Sequence, residues 1–222
     1  MNFPNSGALD NPNLIVVNQQ HPIQEELKFE RFLIGKETIN TSIVDSLSRL
    51  FSEAEKNGFR FTLVSGYRSI AYQKKLFDQS VQRHRDAGYS LEQAQNMTLA
   101  YSQLPGSSEH HTGLAVDIID TAFLNDRQDL YDDVDQLISQ RWLINHAVDY
   151  GFILRYPKAK VNWTGINYEP WHFRFVGQAN AVYMTKNGLS LEEYIERLTT
   201  NSKLHLWFRT QYNDQRLNGV EV

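Results

Sequence analysis

No cysteine occurs among the 222 residues. That excludes disulfides, thiolate catalysis and cysteine-type zinc sites, and it is compatible with either side of a membrane. There is no run of eighteen apolar residues either, so no membrane span is expected. Residues 1–13 are polar, with proline and glycine, and lack a signal-peptide pattern. A dominant charge is also missing. Lys and Arg total 22 against 26 Asp and Glu, a formal net charge of −4, so no global basic field favours nucleic acid. Neither internal repeats nor low-complexity tracts occur. What remains is a chain with 41% hydrophobic residues, enough for a proper core, and of a length that suits one domain.

The most informative stretch is Ser108-Glu-His-His-Thr-Gly-Leu-Ala-Val-Asp117. Leu114, Val116 and Ile118 alternate with Ala115, Asp117 and Ile119, the period-two pattern of a strand, and Gly113 stands where a turn feeds it. Asp117 then shares a face with Ala115, whose small side chain leaves space. A carboxylate inside such an apolar strand needs a partner, because an unpaired buried charge costs several kcal/mol. A histidine just before the strand, with a metal ion between, supplies one; ordinary hydrogen bonding is the plainer alternative.

A second stretch, Tyr168-Glu-Pro-Trp-His-Phe-Arg-Phe175, packs a carboxylate, a histidine and four aromatic rings into eight residues. Pro170 breaks any helix, so a loop entering a strand is expected. Strict alternation puts Glu169 and His172 on opposite faces, and a kink at Pro170 brings both to one site. Taken alone the stretch reads as an aromatic core strand with a solvated Glu. Joined to the first, it completes two His, one Asp and one Glu. That is the set for a zinc hydrolase: three ligands, an open position for water, and a general base.

With Ser65-Gly-Tyr-Arg-Ser69 and Gln73 upstream, the three motifs resemble the VanY/VanX-like D-alanyl-D-alanine peptidases, a branch of the LAS zinc metallopeptidases. The resemblance runs from about Leu14 to about Leu198. It implies one Zn2+ on His110, Asp117 and His172, with Glu169 as base and Arg68 as electrophilic helper. Ser108, Tyr67, Gln73 and Trp171 become substrate contacts, with Phe173 beside them as pocket wall. Glu109 and His111 support the ligands without binding metal. The implied activity is zinc-dependent D-alanyl-D-alanine carboxypeptidase action on peptidoglycan stem peptides. L,D-carboxypeptidase or D-Ala-D-Ala dipeptidase action, or a non-enzymatic cell-wall-binding role, are the alternatives. A monomer is expected, in an extracytoplasmic, cell-envelope setting with any anchor outside this chain; a cytoplasmic one is the alternative.

The fold expected is α+β, a small mainly antiparallel sheet with surrounding helices. Its domain spans residues 14–198, after a flexible lead (1–13) and before a tail (199–222) that holds Trp207 and Phe208. Leu14-Ile-Val-Val17 reads as a first strand and Phe59–Val64 as a second. Ile43, Leu47, Leu50, Phe51 and Ala54 form a helical stripe, capped by Thr41 or Ser42 and closed by Asn57-Gly58. Residues 70–81 read as a helix with Leu76 and Phe77 inward. Ser90 and Gln93 fit a capping box for the next helix. His84 reads as solvated. The acidic run from Asp120 to Asp135 lacks EF-hand spacing and reads as a surface loop walling a cleft. Leu137 to Tyr150, including Ile138 and His146, forms an amphipathic helix closed by Gly151. Phe152 to Leu154 is a strand, Pro157 to Asn167 a hairpin connection, and Ser190 caps a last helix, 191–198, with Glu192 and Glu193 in its first turn.

Overall fold

The alternating residues after Gly113 form a strand on which the sheet is built. The computed structural model describes residues 3–203. Strands β1 (Arg31–Ile34) and β2 (Glu37–Asn40) make a separate hairpin. Helix α1 (Val44–Lys56) leads to β3 (Phe61–Ser65), and α2 (Ile70–Asp86) and α3 (Leu91–Leu99) follow. Next come β4 (Ala115–Asp120), α4 (Thr121–Arg127), α5 (Ile138–His146), β5 (Phe152–Leu154), α6 (Val161–Thr164), β6 (His172–Phe175) and α7 (Gln178–Lys186). Residues 191–203 form a further helix. The main sheet has the order β3-β4-β6-β5, antiparallel throughout, which confirms the α+β class.

One face of this sheet is apolar. Val116, Ile118, Phe152, Phe173 and Phe175 pack with Ile43, Leu47 and Leu50, so the α1 stripe lies in the core as its spacing predicts. The other face carries Ala115, Asp117, His172 and Arg174, paired Ala115 to Arg174 and Asp117 to His172. At the β5 edge Ile153 joins a second cluster with Val176, Met184, Leu191, Tyr194 and Leu198, which seats α7 and the last helix.

Several local expectations need correction. Residues 15–17 form no strand: Pro12–Leu14 is a short 3-10 turn and an isolated bridge joins Asn18 to His21. The lead, residues 3–13, touches the rest of the fold at a few points, with Asn5, Ser6, Ala8, Leu9, Asp10 and Pro12 exposed. The Phe3 ring lies tilted against Tyr183 and Tyr194, and Ser6 Oγ donates to Asn180 Oδ1 (3.2 Å). Asn40, not Thr41 or Ser42, caps the turn entering α1, its Oδ1 accepting from Ser42 N. The connection 157–167 folds into a 3-10 turn and α6 rather than a tight hairpin. Ile138 is exposed, because it opens α5 at its solvent end. Leu76 is only half-buried and faces the cleft described below. The capping box at Ser90 and Gln93 forms as expected, and Ser190 makes a second one with Glu193. Of the tail only residues 199–203 are described, as a continuation of the last helix; Trp207 and Phe208 lie outside the described residues. Among the described residues no helix is long and apolar enough to cross a membrane.

Gly113 joins the histidine turn to β4 at φ 65°, and a Cβ there meets Phe29 Cε2 at 2.7 Å and Asn40 N at 2.9 Å. A left-handed backbone costs an L-residue about 1–2 kcal/mol before any clash. Gly113→Ala is expected to lower unfolding stability by more than that, read by urea denaturation; an unchanged midpoint contradicts this packing.

Candidate metal centre and active-site cleft

Three strands deliver the site in one row. Ser65 on β3 pairs with Asp117 on β4, which pairs with His172 on β6. Between Leu63 and Ser65 the β3 register shifts by one residue. That bulge turns Ser65 from the core face to the site face and aims the following loop at Asp117. His110 arrives from the 3-10 turn Glu109–Thr112 just before β4.

His110, Asp117 and His172 are all buried, and one potential ligand atom from each lies within 4.8 Å of the others. The His110 Nδ1–H donates to the Gly66 carbonyl (2.7 Å), so its Nε2 carries the lone pair. Nε2 of His110 and Oδ1 of Asp117 are buried with no hydrogen-bond partner among the described residues. His172 turns Nδ1 to the same space, 3.2 Å from Asp117 Oδ1. Buried polar atoms are normally partnered. Two such orphans, one imidazole nitrogen and one carboxylate oxygen, with His172 Nδ1 turned towards them, fit a divalent cation with nitrogen and oxygen preference, and zinc suits that donor set.

The electrostatics agree. Burial, then the Arg68 charge, pushes His110 down to about 4, leaving it neutral with its lone pair available. Burial opposes ionisation of Asp117, but His110, His172 and Arg68 outweigh it and hold the carboxyl well below its usual range. Burial also disfavours a charged His172, yet Asp117, Glu109 and Glu169 around it raise its pKa well above normal. The same negative charge is what a bound cation satisfies.

Glu169 sits before β6 with Oε2 3.4 Å from His172 Nδ1. Burial raises its pKa, only partly offset by His172. The Pro170 kink is held from behind: Gln140 Nε2 donates to the carbonyls of Pro170 (2.9 Å) and Ile118 (3.1 Å). Arg68 follows the β3 bulge. Its Nη2 donates to Asp117 Oδ2 (2.7 Å), its Nε to Ser65 Oγ (2.9 Å), and its Nη1 lies 3.5 Å from Gln73 Oε1. His111 binds no metal ligand. Its Nε2 accepts from Gly106 N–H (3.1 Å) and its Nδ1–H donates to the Arg68 carbonyl (2.7 Å), so it fastens the Arg68 loop to the histidine turn.

A cleft of about 790 Å³ opens over these groups, lined by Arg68, Ser108, Glu169, Trp171 and Tyr156. The acidic run, expected as a surface loop, instead forms α4 capped by Asp120 and a 3-10 turn from Asp132 to Gln136; Asp129 to Asp132 form part of the cleft wall, and half-buried His84 lies at its rim. Three expected contacts fall elsewhere. Tyr67 is absent from the lining; its hydroxyl donates to Glu26 Oε2 (2.6 Å) and its ring lies under Arg31, 4.1 Å away. Phe173 is in the core on the opposite sheet face. Gln73 is 1% exposed and braces the wall, donating to Gln103 O (2.7 Å) and Ser102 Oγ (3.1 Å). Sequence reasoning missed Tyr156, whose ring lies 4.6 Å from His172. It also missed Arg155 and Arg174, which bind Glu109 across 46 and 65 residues. No local pattern marks such distant pairings.

An antiparallel sheet here gathers two histidines and an aspartate, a donor set for a divalent cation, beside a buried glutamate. The model of the VanY family, described as D-alanyl-D-alanine carboxypeptidase, matches residues 36–178. The chain belongs to that family. A D-alanyl-D-alanine carboxypeptidase of Enterococcus faecalis is 36% identical over 185 residues, covering 82% of this chain and 65% of the relative. The chain thus spans less than two-thirds of that relative's length. A solved variant of the vancomycin-resistance D,D-pentapeptidase VanY in complex with Zn(II) superposes with a TM-score of 0.73 at 36% identity, covering 83% of this chain and 99% of that one. VanYB in complex with D-alanine-D-alanine gives 0.73 at 35% identity, with 83% and 97% covered.

The protein is expected to hold one zinc ion per chain, read by elemental analysis after gel filtration. Asp117→Ala and His172→Ala each delete a donor and are expected to abolish stoichiometric binding. Retention of a full equivalent by either variant contradicts the ligand set.

Proposed function

We propose that this chain is a zinc-dependent carboxypeptidase that removes the C-terminal D-alanine from peptidoglycan stem peptides. The observation that carries the reading is the placement of Glu169 and Arg68, a buried base and a fixed cation, in the same cleft as the three convergent ligand atoms. A metal with a purely structural task needs neither. Family membership and the D-alanine-D-alanine bound to VanYB support the substrate class.

Held by His110, Asp117 and His172, zinc would lower the pKa of a water molecule and polarise the scissile carbonyl. Glu169 takes the proton from the attacking water and passes it to the leaving amine. Its raised pKa suits both acts, because a base works best near the operating pH. Arg68 keeps Nη2 on Asp117 and presents its remaining guanidinium face to the cleft, where negative charge develops on the carbonyl oxygen. Ser108 offers a hydroxyl to the terminal carboxylate, and Trp171 and Tyr156 give aromatic walls to a small methyl group. The protein acts as a monomer in the cell envelope, where this substrate is exposed.

Glu169→Ala is expected to retain zinc and lose turnover by about 10²–10⁴-fold. Arg68→Ala is expected to retain zinc and lose about 10²–10³-fold. Near-normal turnover in the Glu169 variant contradicts the mechanism. The reading itself is tested by initial rates on a stem pentapeptide ending D-Ala-D-Ala, the tetrapeptide ending D-Ala, and free D-Ala-D-Ala, with products weighed by mass spectrometry. Pentapeptide is expected to be cleaved fastest. Preference for the tetrapeptide makes this an L,D-carboxypeptidase, and preference for the dipeptide a dipeptidase. Zinc-loaded protein inert on all three returns a cell-wall-binding role.

A further inference from the structure

Behind His172 lies a buried charge network that the chemistry above does not use. Glu109, one residue before the ligand His110, is 1% exposed. Its Oε1 accepts from Arg155 Nε (2.9 Å) and from Arg174 Nη1 (2.8 Å). Its Oε2 has no hydrogen-bond partner among the described residues and faces Nε2 of His172 at 3.8 Å; that nitrogen is equally without a partner. A bare lone pair on Nε2 would confront the lone pairs of a carboxylate oxygen. A proton on Nε2 makes the same contact attractive, and a movement of about 1 Å completes a hydrogen bond.

We infer that Glu109 is a positioning residue that keeps the His172 proton on Nε2 and so commits Nδ1 to the metal. The inference rests on the zinc reading proposed above. The ring presents Nδ1 to Asp117 and Glu169, 3.2 and 3.4 Å away, the side on which a cation held by Asp117 would sit. A carboxylate behind a ligating histidine also strengthens the opposite nitrogen as a donor.

Glu109 is itself held by two buried arginines. Arg155 follows β5, and its own N–H donates to the His172 carbonyl (3.1 Å). Its guanidinium bridges Glu109 to Glu192 in the first turn of the 191–203 helix, with Nη1 donating to Glu192 Oε2 (2.9 Å). Arg174 lies two residues after His172 on the same strand face, opposite Ala115, which brings only a methyl group there. Its Nη2 donates to the carbonyls of Asn13 (3.0 Å) and Ile15 (2.8 Å). Two arginines and two glutamates thus balance in charge. They fasten a metal ligand to a segment before residue 36 and a helix after residue 178, both outside the span that the family model matches. The flanks are part of the metal centre's rigidity.

The test compares full-chain wild type with Glu109→Gln, a near-isosteric change whose amide oxygen can still accept from both arginines while its NH2 replaces the oxygen that faces His172. Zinc affinity is read by competition with a chromophoric chelator. The tautomer of His172 is read by long-range ¹H–¹⁵N correlation on histidine-labelled, zinc-loaded protein. The expected results are Nε2–H on His172 in the wild type and zinc binding weakened about 10–100-fold in the variant. A purely structural role would move the melting temperature without moving either quantity. Wild-type protein that carries the His172 proton on Nδ1, or a variant that binds zinc as tightly as the wild type, overturns the inference and leaves the zinc reading standing. Wild type that binds no zinc brings down the zinc reading as well. Should Glu109→Gln fail to fold, the wild-type spectrum alone decides.

Discussion

Everything at the centre depends on the register of one row across the sheet. Ser65, Asp117 and His172 are cross-strand partners on three adjacent strands, and Arg155 bonds the far side of the row through its backbone. Because side chains alternate with a period of two, a slip of one residue in β4 or β6 would send Asp117 or His172 into the apolar face and Val116 or Phe173 into the cleft. The register is secured by that apolar face, where Val116, Ile118, Phe173 and Phe175 have no other place to go. Hydrophobic packing thus sets the position of polar atoms that it never touches.

The polar face carries charge that stability alone does not explain. Glu109, Asp117, Glu169, Arg155 and Arg174 are all buried. Buried ion pairs are often no better than well-packed apolar residues of similar volume, whereas removal of one partner is costly. Their concentration around two histidines is therefore a mark of function. The roles divide by what each group can reach. Asp117 and the histidines converge on a cation, Glu169 and Arg68 share the cleft with it, and Glu109 lies behind, walled from the cleft and tied to both chain flanks.

The parts legible in the sequence were those encoded locally. The alternation of 114–119, the α1 stripe, the Ser90–Gln93 box and the glycine after Tyr150 all appear where their patterns put them. The ligand trio was legible because its spacing repeats a known motif set. The β1–β2 hairpin escaped notice although Gly35 and Lys36 form a two-residue turn between short alternating runs; with Phe32 and Leu33 exposed, only Ile39 and half-buried Ile34 reach the core. Leu14 to Val17 misled in the opposite way: Leu14 and Val17 are buried by tertiary packing, with no strand partner to pair them. Tyr67 shows the limit of motif reasoning. It lies one residue before Arg68, yet the backbone turn after β3 sends its ring to Arg31 and Glu26 rather than into the cleft.

The central claim is that one cation sits at the meeting point of three side chains brought together by sheet register. A crystal of the zinc-loaded protein, measured on both sides of the zinc absorption edge, tests it most directly. The account predicts a single anomalous peak per chain, in contact with Nε2 of His110, a carboxylate oxygen of Asp117 and Nδ1 of His172, and open towards Glu169. A peak at another place, or one that leaves Asp117 paired only with Arg68, would contradict it.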